Sequence, residues 1–285
     1  MNPGKIPRRR PEIVVISDTH LGTFGCQAKE LLMYLRSIDP KHLILNGDII
    51  DMWNFRKNFF PKPHLQVIRE ITGRISKDKH TVYITGNHDE MMRRFVKFKL
   101  GSFELVNKIL MNLDGKKAWI FHGDVFDVTM QYSKWLTKLG SSGYEILIRI
   151  NSLINAVLML FGKEKISLSK KVKDSVKKAV AYTNRFEETA AGIAIRNGYS
   201  YVVCGHIHHP EIREIETSEG KVTYLNSGDW VENLTALEYQ DGKWSVYHFS
   251  DDNFAKTFHD IEKRLKSYTD EELFNKLLKE FNISV

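Results

Sequence analysis

The sequence predicts a layered α/β fold, and three observations support this prediction. Short β-branched, apolar segments alternate with segments of helical periodicity over residues 12–85. Each predicted strand in this region stops at a polar residue of a catalytic type, as in folds whose reactive groups collect at the carboxyl ends of strands. Hydrophobic residues make up 42% of the 285 positions, which is enough to fill a substantial core.

The first part of the chain is predicted to contain three strands and two helices. Runs of β-branched residues indicate the strands, and leucine and isoleucine at helical spacing indicate the helices. In chain order these elements are strand Glu12–Asp18, helix Ala28–Ile38, strand His42–Asp48, helix Leu65–Ile75 and strand Thr81–Thr85.

Later strands are predicted to pair as hairpins. The dipeptides Asp114-Gly115, Glu219-Gly220 and Asp241-Gly242 are turn signals between partly alternating segments. The hairpins are expected over Met111–Phe121, Glu211–Tyr224 and Ala236–Phe249, with a further strand at Tyr201–Cys204 and a C-terminal helix at Asp270–Phe281.

The segment Val128–Asn197 interrupts this strand pattern. It contains no proline and is rich in helix formers, which predicts a helical insertion or cap. The resulting domain prediction is a core over 12–127 and 198–250, an insertion over 128–197 and a helical tail over 251–285.

The insertion combines an apolar run with a basic one. The run Ile146–Phe161 is more apolar than one face of a surface helix requires, which leaves core burial, a lipid-binding surface and membrane contact open. It is interrupted by polar residues and is too short to span a bilayer. Residues 163–178 carry seven lysines against two acidic residues, which suits either a solvated helix face or an anionic headgroup.

The overall charge and the cysteine count limit the possible partners and the cellular compartment of the protein. A formal charge of +7 favours an anionic partner but does not by itself separate nucleic acid, lipid surface and phosphorylated substrate. Two cysteines support neither a disulfide framework nor a cysteine metal site. The N-terminal residues lack a long apolar segment of the secretory type. These features predict a cytoplasmic protein, with peripheral contact at the cytoplasmic face of the inner membrane as an open alternative.

Five short polar blocks recur in order along the chain. A single Asp-X-His is weak evidence, but five such blocks supply mixed nitrogen and oxygen ligands that suit a pair of first-row divalent ions. The blocks are Asp18-Thr19-His20, Gly47-Asp48-Ile49-Ile50-Asp51, Gly86-Asn87-His88-Asp89, His122-Gly123-Asp124 and Gly205-His206-Ile207-His208. The candidate metal ligands are Asp18, His20, Asp48, Asn87, His122, His206 and His208.

These blocks resemble the signature of the calcineurin-like metallophosphoesterases. The resemblance implies a four-layer α-β-β-α sandwich with a helical cap and two divalent ions, with Mn²⁺ as the expected metal. It assigns one ion to Asp18, His20, Asp48 and His208, and the other to Asp48, Asn87, His122 and His206. Asp48 is then the bridging ligand. Such an ion pair polarises a phosphoryl group and makes hydroxide available near neutral pH.

The resemblance also implies roles for residues that are not ligands. His88 is expected to face the scissile phosphate and to stabilise the transition state or protonate the leaving group, with Asn87 and Asp89 completing the catalytic set. We expect Asp89 to raise the proton affinity of His88. Asp51 and Asp124 are candidates for orienting ligands, or else cap local structure.

Over residues 12–249 the chain looks like the UDP-2,3-diacylglucosamine pyrophosphatase group of that superfamily. This likeness implies cleavage of the diphosphate to UMP and 2,3-diacylglucosamine 1-phosphate in lipid A synthesis, so the expected partner is a phosphorylated glycolipid. His88 stands where the well-studied branch of the group has arginine. The predicted substrate-binding residues, in the insertion, are Lys165, Ser169, Lys170 and Lys173.

Two other classes remain open. A nucleotide or nucleic-acid phosphodiesterase would use the same ions, but basic residues interleaved with exposed aromatics would be expected along a groove. The sequence instead places its lysines beside an apolar run, which disfavours nucleic acid as the partner. A non-catalytic scaffold on the same fold would be expected to lose ligands, and all seven are present.

Overall fold

The computed structural model describes residues 8–53, 60–129, 183, 185–253 and 257. Within these residues two sheets and three helices form the fold. The first half contains β1 (Ile13–Ile16), α1 (Ala28–Ser37), β2 (His42–Asn46), α2 (Lys62–Ile75), β3 (Thr81–Ile84), β4 (Lys99–Leu100), β5 (Phe103–Val106), β6 (Lys108–Leu113) and β7 (Lys116–Phe121). The second half contains α3 (185–196), β8 (Tyr201–Cys204), β9 (Glu211–Thr217), β10 (Gly220–Asn226), β11 (Thr235–Gln240) and β12 (Lys243–His248).

The first sheet has the strand order β12-β11-β1-β2-β3-β5-β4, and the second has the order β6-β7-β8-β10-β9. Strands β1, β2, β3 and β5 run parallel, as do β7, β8 and β10. Parallel neighbours end at the same edge of a sheet, so the polar residues that follow them are brought together. The predicted hairpins β6–β7, β9–β10 and β11–β12 are present and antiparallel.

Three apolar clusters separate four layers. Side chains such as Val15 and Ile44 from the first sheet pack against Ile120 and Val203 from the second, which forms the central core. The outer face of the first sheet packs on α1 and α2, and the outer face of the second packs on Phe186 and three alanines of α3. The predicted α-β-β-α sandwich is therefore confirmed.

The predicted helical insertion is described only at its end. Helix α3 falls within 128–197. Outside the described residues lie the apolar run, the lysines and the predicted substrate-binding residues of the insertion. The predicted helix at 270–281 lies outside them as well. Among the described helices, none combines the length and apolar character needed to cross a membrane. Both cysteines are buried and free, in agreement with a packing role.

Candidate metal centre

The two sheets are joined at the carboxyl ends of their parallel strands. The Nδ1–H of His122, after β7, donates to the carbonyl of Asn46 at the end of β2 over 2.8 Å. The Asn46 amide returns a bond to the carbonyl of Phe121 over 3.1 Å. Ser17 and Ser227, which follow β1 and β10, bond through their hydroxyls at 2.7 Å. These bonds fix the edge at which the predicted ligands meet.

Six of the seven predicted ligands fall into two groups. The ligand atoms of Asp18, His20 and His208 lie within 4.8 Å of one another, and so do those of Asp48, His122 and His206. Backbone bonds hold the groups together, because the N–H of His206 donates to Asp18 Oδ2 over 3.0 Å. Each group contains three of the four ligands predicted for one ion, and Asp48, which is predicted to bind both ions, lies in the second group.

Asn87, the seventh predicted ligand, lies in the loop after β3. Its neighbour His88 donates its backbone N–H to Asp48 Oδ1 over 2.8 Å, so this loop lies directly against the predicted bridging carboxylate. One nitrogen of His88 also lies within 4.8 Å of the ligand atoms of His20 and Asp48. The third block therefore borders both groups.

The donor atoms in this centre fit a pair of cations. Asp18 Oδ1, Asn87 Oδ1 and His122 Nε2 are buried and make no well-aligned hydrogen bond within the described part of the chain, although Asp18 Oδ1 lies 3.1 Å from His208 Nε2 and His122 Nε2 lies 3.4 Å from Asp48 Oδ2. Since the Asn46 carbonyl can only accept, Nδ1 of His122 carries a proton, and Nε2 is the nitrogen that could bind a metal ion after losing its own proton. Buried polar atoms are rarely left without a partner, and divalent ions would satisfy all three.

The charge balance of the centre also favours cations. Burial raises the pKa of Asp48, but neighbouring histidines, first among them His122, lower it to about 2. Burial lowers the pKa of His208, yet the carboxylate of Asp18 raises it to about 9. The same opposition raises the pKa of His122 well above its usual range, with Asp48 as the main cause. The negative charge of Asp18 and Asp48, which favours the protonated form of the neighbouring histidines, would also stabilise metal cations bound at the same place.

Most of the predicted ligands lie on strained backbone. Side chains other than glycine rarely adopt positive φ, and such residues cluster at functional sites. The ligands with φ between 47° and 68° are Asp18, His20, Asp48, His206 and His208. The strand ends thus turn sharply to present these side chains toward one another.

The three further acidic residues of the blocks have distinct contacts. Asp51 Oδ2 lies 2.9 Å from His88 Nδ1 and 3.3 Å from His20 Nδ1, so one carboxylate orients both imidazoles. Asp124 binds the guanidinium of Arg93, which also reaches the carbonyl of Gly86 over 3.4 Å.

Asp89 does not contact His88 in the way the sequence led us to expect. Its carboxylate accepts the N–H of Gly86 at 2.6 Å, the N–H of Ile49 at 2.9 Å and the hydroxyl of Tyr83 at 2.7 Å. It therefore shapes the loops that carry Asp48 and Asn87. Burial lowers the pKa of His88, but the bond to Asp51 and the nearby carboxylates of Asp48 and Asp18 raise it overall.

Sequence reasoning missed two residues at the margin of this centre. His64 on α2 is buried, and its Nδ1 accepts the N–H of Gly22 over 3.0 Å, which holds the loop after the first block. Arg93 was given no role, although it joins the third and fourth blocks through Gly86 and Asp124. No local pattern marks either residue, because their partners are distant in the sequence. His209, beside a ligand, has a side chain that is 60% exposed.

Close packing at Gly86 gives a first prediction. A Cβ at this position would lie 2.2 Å from Asp48 Oδ1 and 2.6 Å from its backbone nitrogen. Because the backbone of Asp48 cannot move without displacing the ligand, Gly86→Ala is expected to weaken metal binding by about 10–100-fold, the range found when a ligand loses its orientation. Metal titration of the apoprotein measures this.

Gly73→Ala is the matched control. A Cβ at Gly73, within α2, meets no described atom within 4 Å. The substitution should raise the stability by about 0.5–1 kcal/mol, since alanine is the better helix former, and should leave metal binding unchanged. Equal metal affinity of the Gly86→Ala and Gly73→Ala proteins would show that the loop packing does not position Asp48.

Comparison with known proteins agrees with this geometry. The family model described as calcineurin-like phosphoesterase matches residues 11–210. The chain is 23% identical over 241 residues to UDP-2,3-diacylglucosamine hydrolase of Aliivibrio fischeri (strain MJ11), covering 82% of this chain and 97% of that protein. It is 23% identical over 245 residues to the protein of the same name from Stenotrophomonas maltophilia (strain K279a), covering 81% and 96%.

Among solved structures, the phosphoesterase Yfce from E. coli is similar with a TM-score of 0.41 and 13% identity, over 84% of this chain and 93% of that one. The family model spans more than half of the chain and includes all five polar blocks. The protein is a metal-dependent phosphoesterase and belongs to the calcineurin-like phosphoesterase family.

Proposed function

We propose that this protein hydrolyses UDP-2,3-diacylglucosamine to UMP and 2,3-diacylglucosamine 1-phosphate in lipid A synthesis. The observation that carries the proposal is the extent of the match to relatives named UDP-2,3-diacylglucosamine hydrolase, which reaches 97% of the Aliivibrio fischeri protein. The match also takes in 82% of this chain, far more than the five polar blocks alone. It therefore favours UDP-2,3-diacylglucosamine over the other phosphoesters that members of the family could hydrolyse.

The residues of the centre suit attack on a diphosphate. Two bound divalent ions, with Mn²⁺ proposed from the resemblance to the calcineurin-like metallophosphoesterases, would supply Lewis-acid charge and lower the pKa of a water molecule. Asp48 would hold both ions, and Asp18 and His122 would each hold one. Because the ligands are anchored to two sheets through buried bonds, little reorganisation is needed when the phosphoryl charge develops.

His88 is the residue that we assign to the substrate. The Asp51 carboxylate can only accept a hydrogen bond, so His88 Nδ1 carries a proton and donates a hydrogen bond to Asp51. This bond fixes the orientation of the His88 ring. Nε2 is then the atom that can donate to a phosphoryl oxygen or to the leaving group. The ring of Trp53 lies 4.9 Å from the ring of His88 and bounds the same side of the centre.

The lipid part of the proposal draws on the insertion. Lys165, Ser169, Lys170 and Lys173 are proposed to contact the phosphates or headgroup, and the apolar run 146–161 to contact the acyl chains; both lie outside the described residues. We accordingly propose that the enzyme acts in the cytoplasm, with peripheral contact at the cytoplasmic face of the inner membrane.

Product analysis tests the proposed function. With Mn²⁺ present, UDP-2,3-diacylglucosamine should release UMP. Its kcat/KM should exceed that of bis(p-nitrophenyl) phosphate and of single-stranded DNA by at least about 100-fold, because a site that hydrogen-bonds the polar groups of its own substrate discriminates against compounds that leave those bonds unmade. Turnover of the diester or of DNA without UMP release from the glycolipid would refute the substrate and leave a phosphoesterase of other specificity.

A further inference from the structure

A short segment next to the metal centre exposes large apolar side chains. Met91, Phe95, Phe98 and Leu100 are 58%, 62%, 50% and 61% exposed. In the described part of the chain nine large hydrophobic residues are exposed, and these four fall within ten positions. Single exposed apolar residues are normal, but such a concentration is typical of an interaction site.

The backbone of this segment is fixed. A 3₁₀ turn spans Glu90–Phe95, and the N–H of Phe98 then donates to the carbonyl of Phe95 over 3.0 Å. Lys97 donates its N–H to Leu105 in β5 over 2.8 Å, and Leu105 donates to Phe98 over 3.0 Å. Met92 packs against the core beneath the turn. The fold therefore imposes the exposure of the four apolar side chains.

Basic residues are interleaved with these side chains. Residues 90–100 contain four basic residues and one acidic residue. Arg93 is paired with Asp124, and Lys99 lies 2.8 Å from Glu104. Arg94 and Lys97 are exposed, and neither forms an ion pair with any residue that the structure describes. Their charge is therefore available to an external anion.

The segment is also continuous with the metal centre. The N–H of Met92 donates to the carbonyl of Asp89 over 2.9 Å, and Arg93 reaches the carbonyl of Gly86 in the loop that carries Asn87. A ligand held on this segment would lie beside the third polar block.

We propose that Met91, Arg94, Phe95, Lys97, Phe98 and Leu100 form a docking surface for an anionic phospholipid bilayer. The apolar side chains match the boundary between headgroups and acyl chains, and Arg94 and Lys97 match the negative charge of the headgroups. Nucleic acid could pair with the two cations and stack on the two phenylalanines, but it would gain little from Met91 and Leu100, whereas a bilayer suits all six side chains. The docking surface rests on the proposed function in one respect, because it would hold the metal centre at the membrane that contains the glycolipid.

The test is flotation with vesicles that contain no UDP-linked lipid. The protein should bind vesicles of equal parts phosphatidylglycerol and phosphatidylcholine, and should bind phosphatidylcholine vesicles more weakly. Phe95→Ser/Phe98→Ser and Met91→Ser/Leu100→Ser should each lower partitioning by about tenfold or more, since each removes two apolar anchors. Arg94→Gln/Lys97→Gln should lower it by about tenfold and reduce its dependence on salt.

Matched controls separate docking from general effects. Leu65, on α2, is 57% exposed and lies outside the docking surface, and Lys243 is exposed on β12. Leu65→Ser and Lys243→Gln should bind the anionic vesicles as the unaltered protein does. All variants should keep their turnover of bis(p-nitrophenyl) phosphate, which shows that they are folded.

Three results would overturn the docking surface. The first is absence of binding to the anionic vesicles. The second is unchanged binding of both apolar double variants, which would assign membrane contact to another part of the chain. The third is a dimer in sedimentation that dissociates on Phe95→Ser/Phe98→Ser, which would make the surface a contact between two copies. If the protein binds these vesicles but releases no UMP from UDP-2,3-diacylglucosamine in the separate product assay, the proposed substrate is refuted and the docking surface is retained.

Discussion

Asp48→Asn is expected to abolish turnover and to remove bound metal together. Asparagine keeps the size of the side chain and can still accept the N–H of His88, which reaches Asp48 Oδ1 over 2.8 Å. It lacks the charge and the second carboxylate oxygen, which lies 3.4 Å from His122 Nε2. Because both groups of ligands meet at this residue, the loss of kcat/KM should reach at least about 10³-fold, beyond the 10–100-fold typical of residues that only orient a ligand.

The measurement is metal content by mass spectrometry together with turnover of a soluble diester. Asp251→Asn is a suitable control, because Asp251 is exposed and lies in the 3₁₀ turn after β12, outside the predicted ligand set. Two metals per chain with near-normal turnover in the Asp48→Asn protein would refute the bridging role.

His88→Ala is expected to lower kcat by about 10²–10⁴-fold, the contribution typical of a general acid or base, while the metal content stays the same. The reason is that His88 is bonded to Asp51 through Nδ1 and lies beside the ligands without belonging to the predicted set. His88→Arg should recover part of the loss, since arginine also presents a cationic donor to phosphate.

His209→Ala is the control for His88→Ala. His209 follows a predicted ligand but has a side chain that is 60% exposed, with its Nδ1 3.8 Å from Glu211 and 4.0 Å from Glu187. We expect it to change turnover little. An equal loss of metal and of activity in His88→Ala would show that His88 is itself a ligand.

The strands and the centre at their ends could be predicted because both signals are local. β1, β2, β3 and β8 are buried apolar runs, and each is followed within a few residues by a polar block. Parallel pairing within each sheet gathers these blocks at one edge, and the face-to-face packing of the two sheets then brings residues as distant as Asp18 and His206 together. The three hairpins were predictable because turn dipeptides separate their strands.

The order of the strands was not predictable, because it depends on contacts between distant segments. β1 pairs with β11, which is more than two hundred residues away, and no periodicity in the sequence predicts this pairing. The edge strand β4 and its neighbour β5 were also missed. β4 is two residues long and both residues are exposed, so the apolar alternation that marks a half-buried strand is absent.

The partner of His88 shows where reasoning from sequence proximity failed. Asp89 is the next residue in the chain, but its carboxylate turns back to the N–H groups of Gly86 and Ile49. Asp51, from the preceding block, reaches the imidazole instead. The choice between the two carboxylates depends on how two loops pack.

The central claim is that Asp48 bridges two ions, and the most direct test is an anomalous difference map at the manganese edge from crystals grown with Mn²⁺. We predict two peaks per chain, both in contact with Asp48. One peak should also contact Asp18, His20 and His208, and the other Asn87, His122 and His206. A single peak, or two peaks of which only one contacts Asp48, would contradict this account.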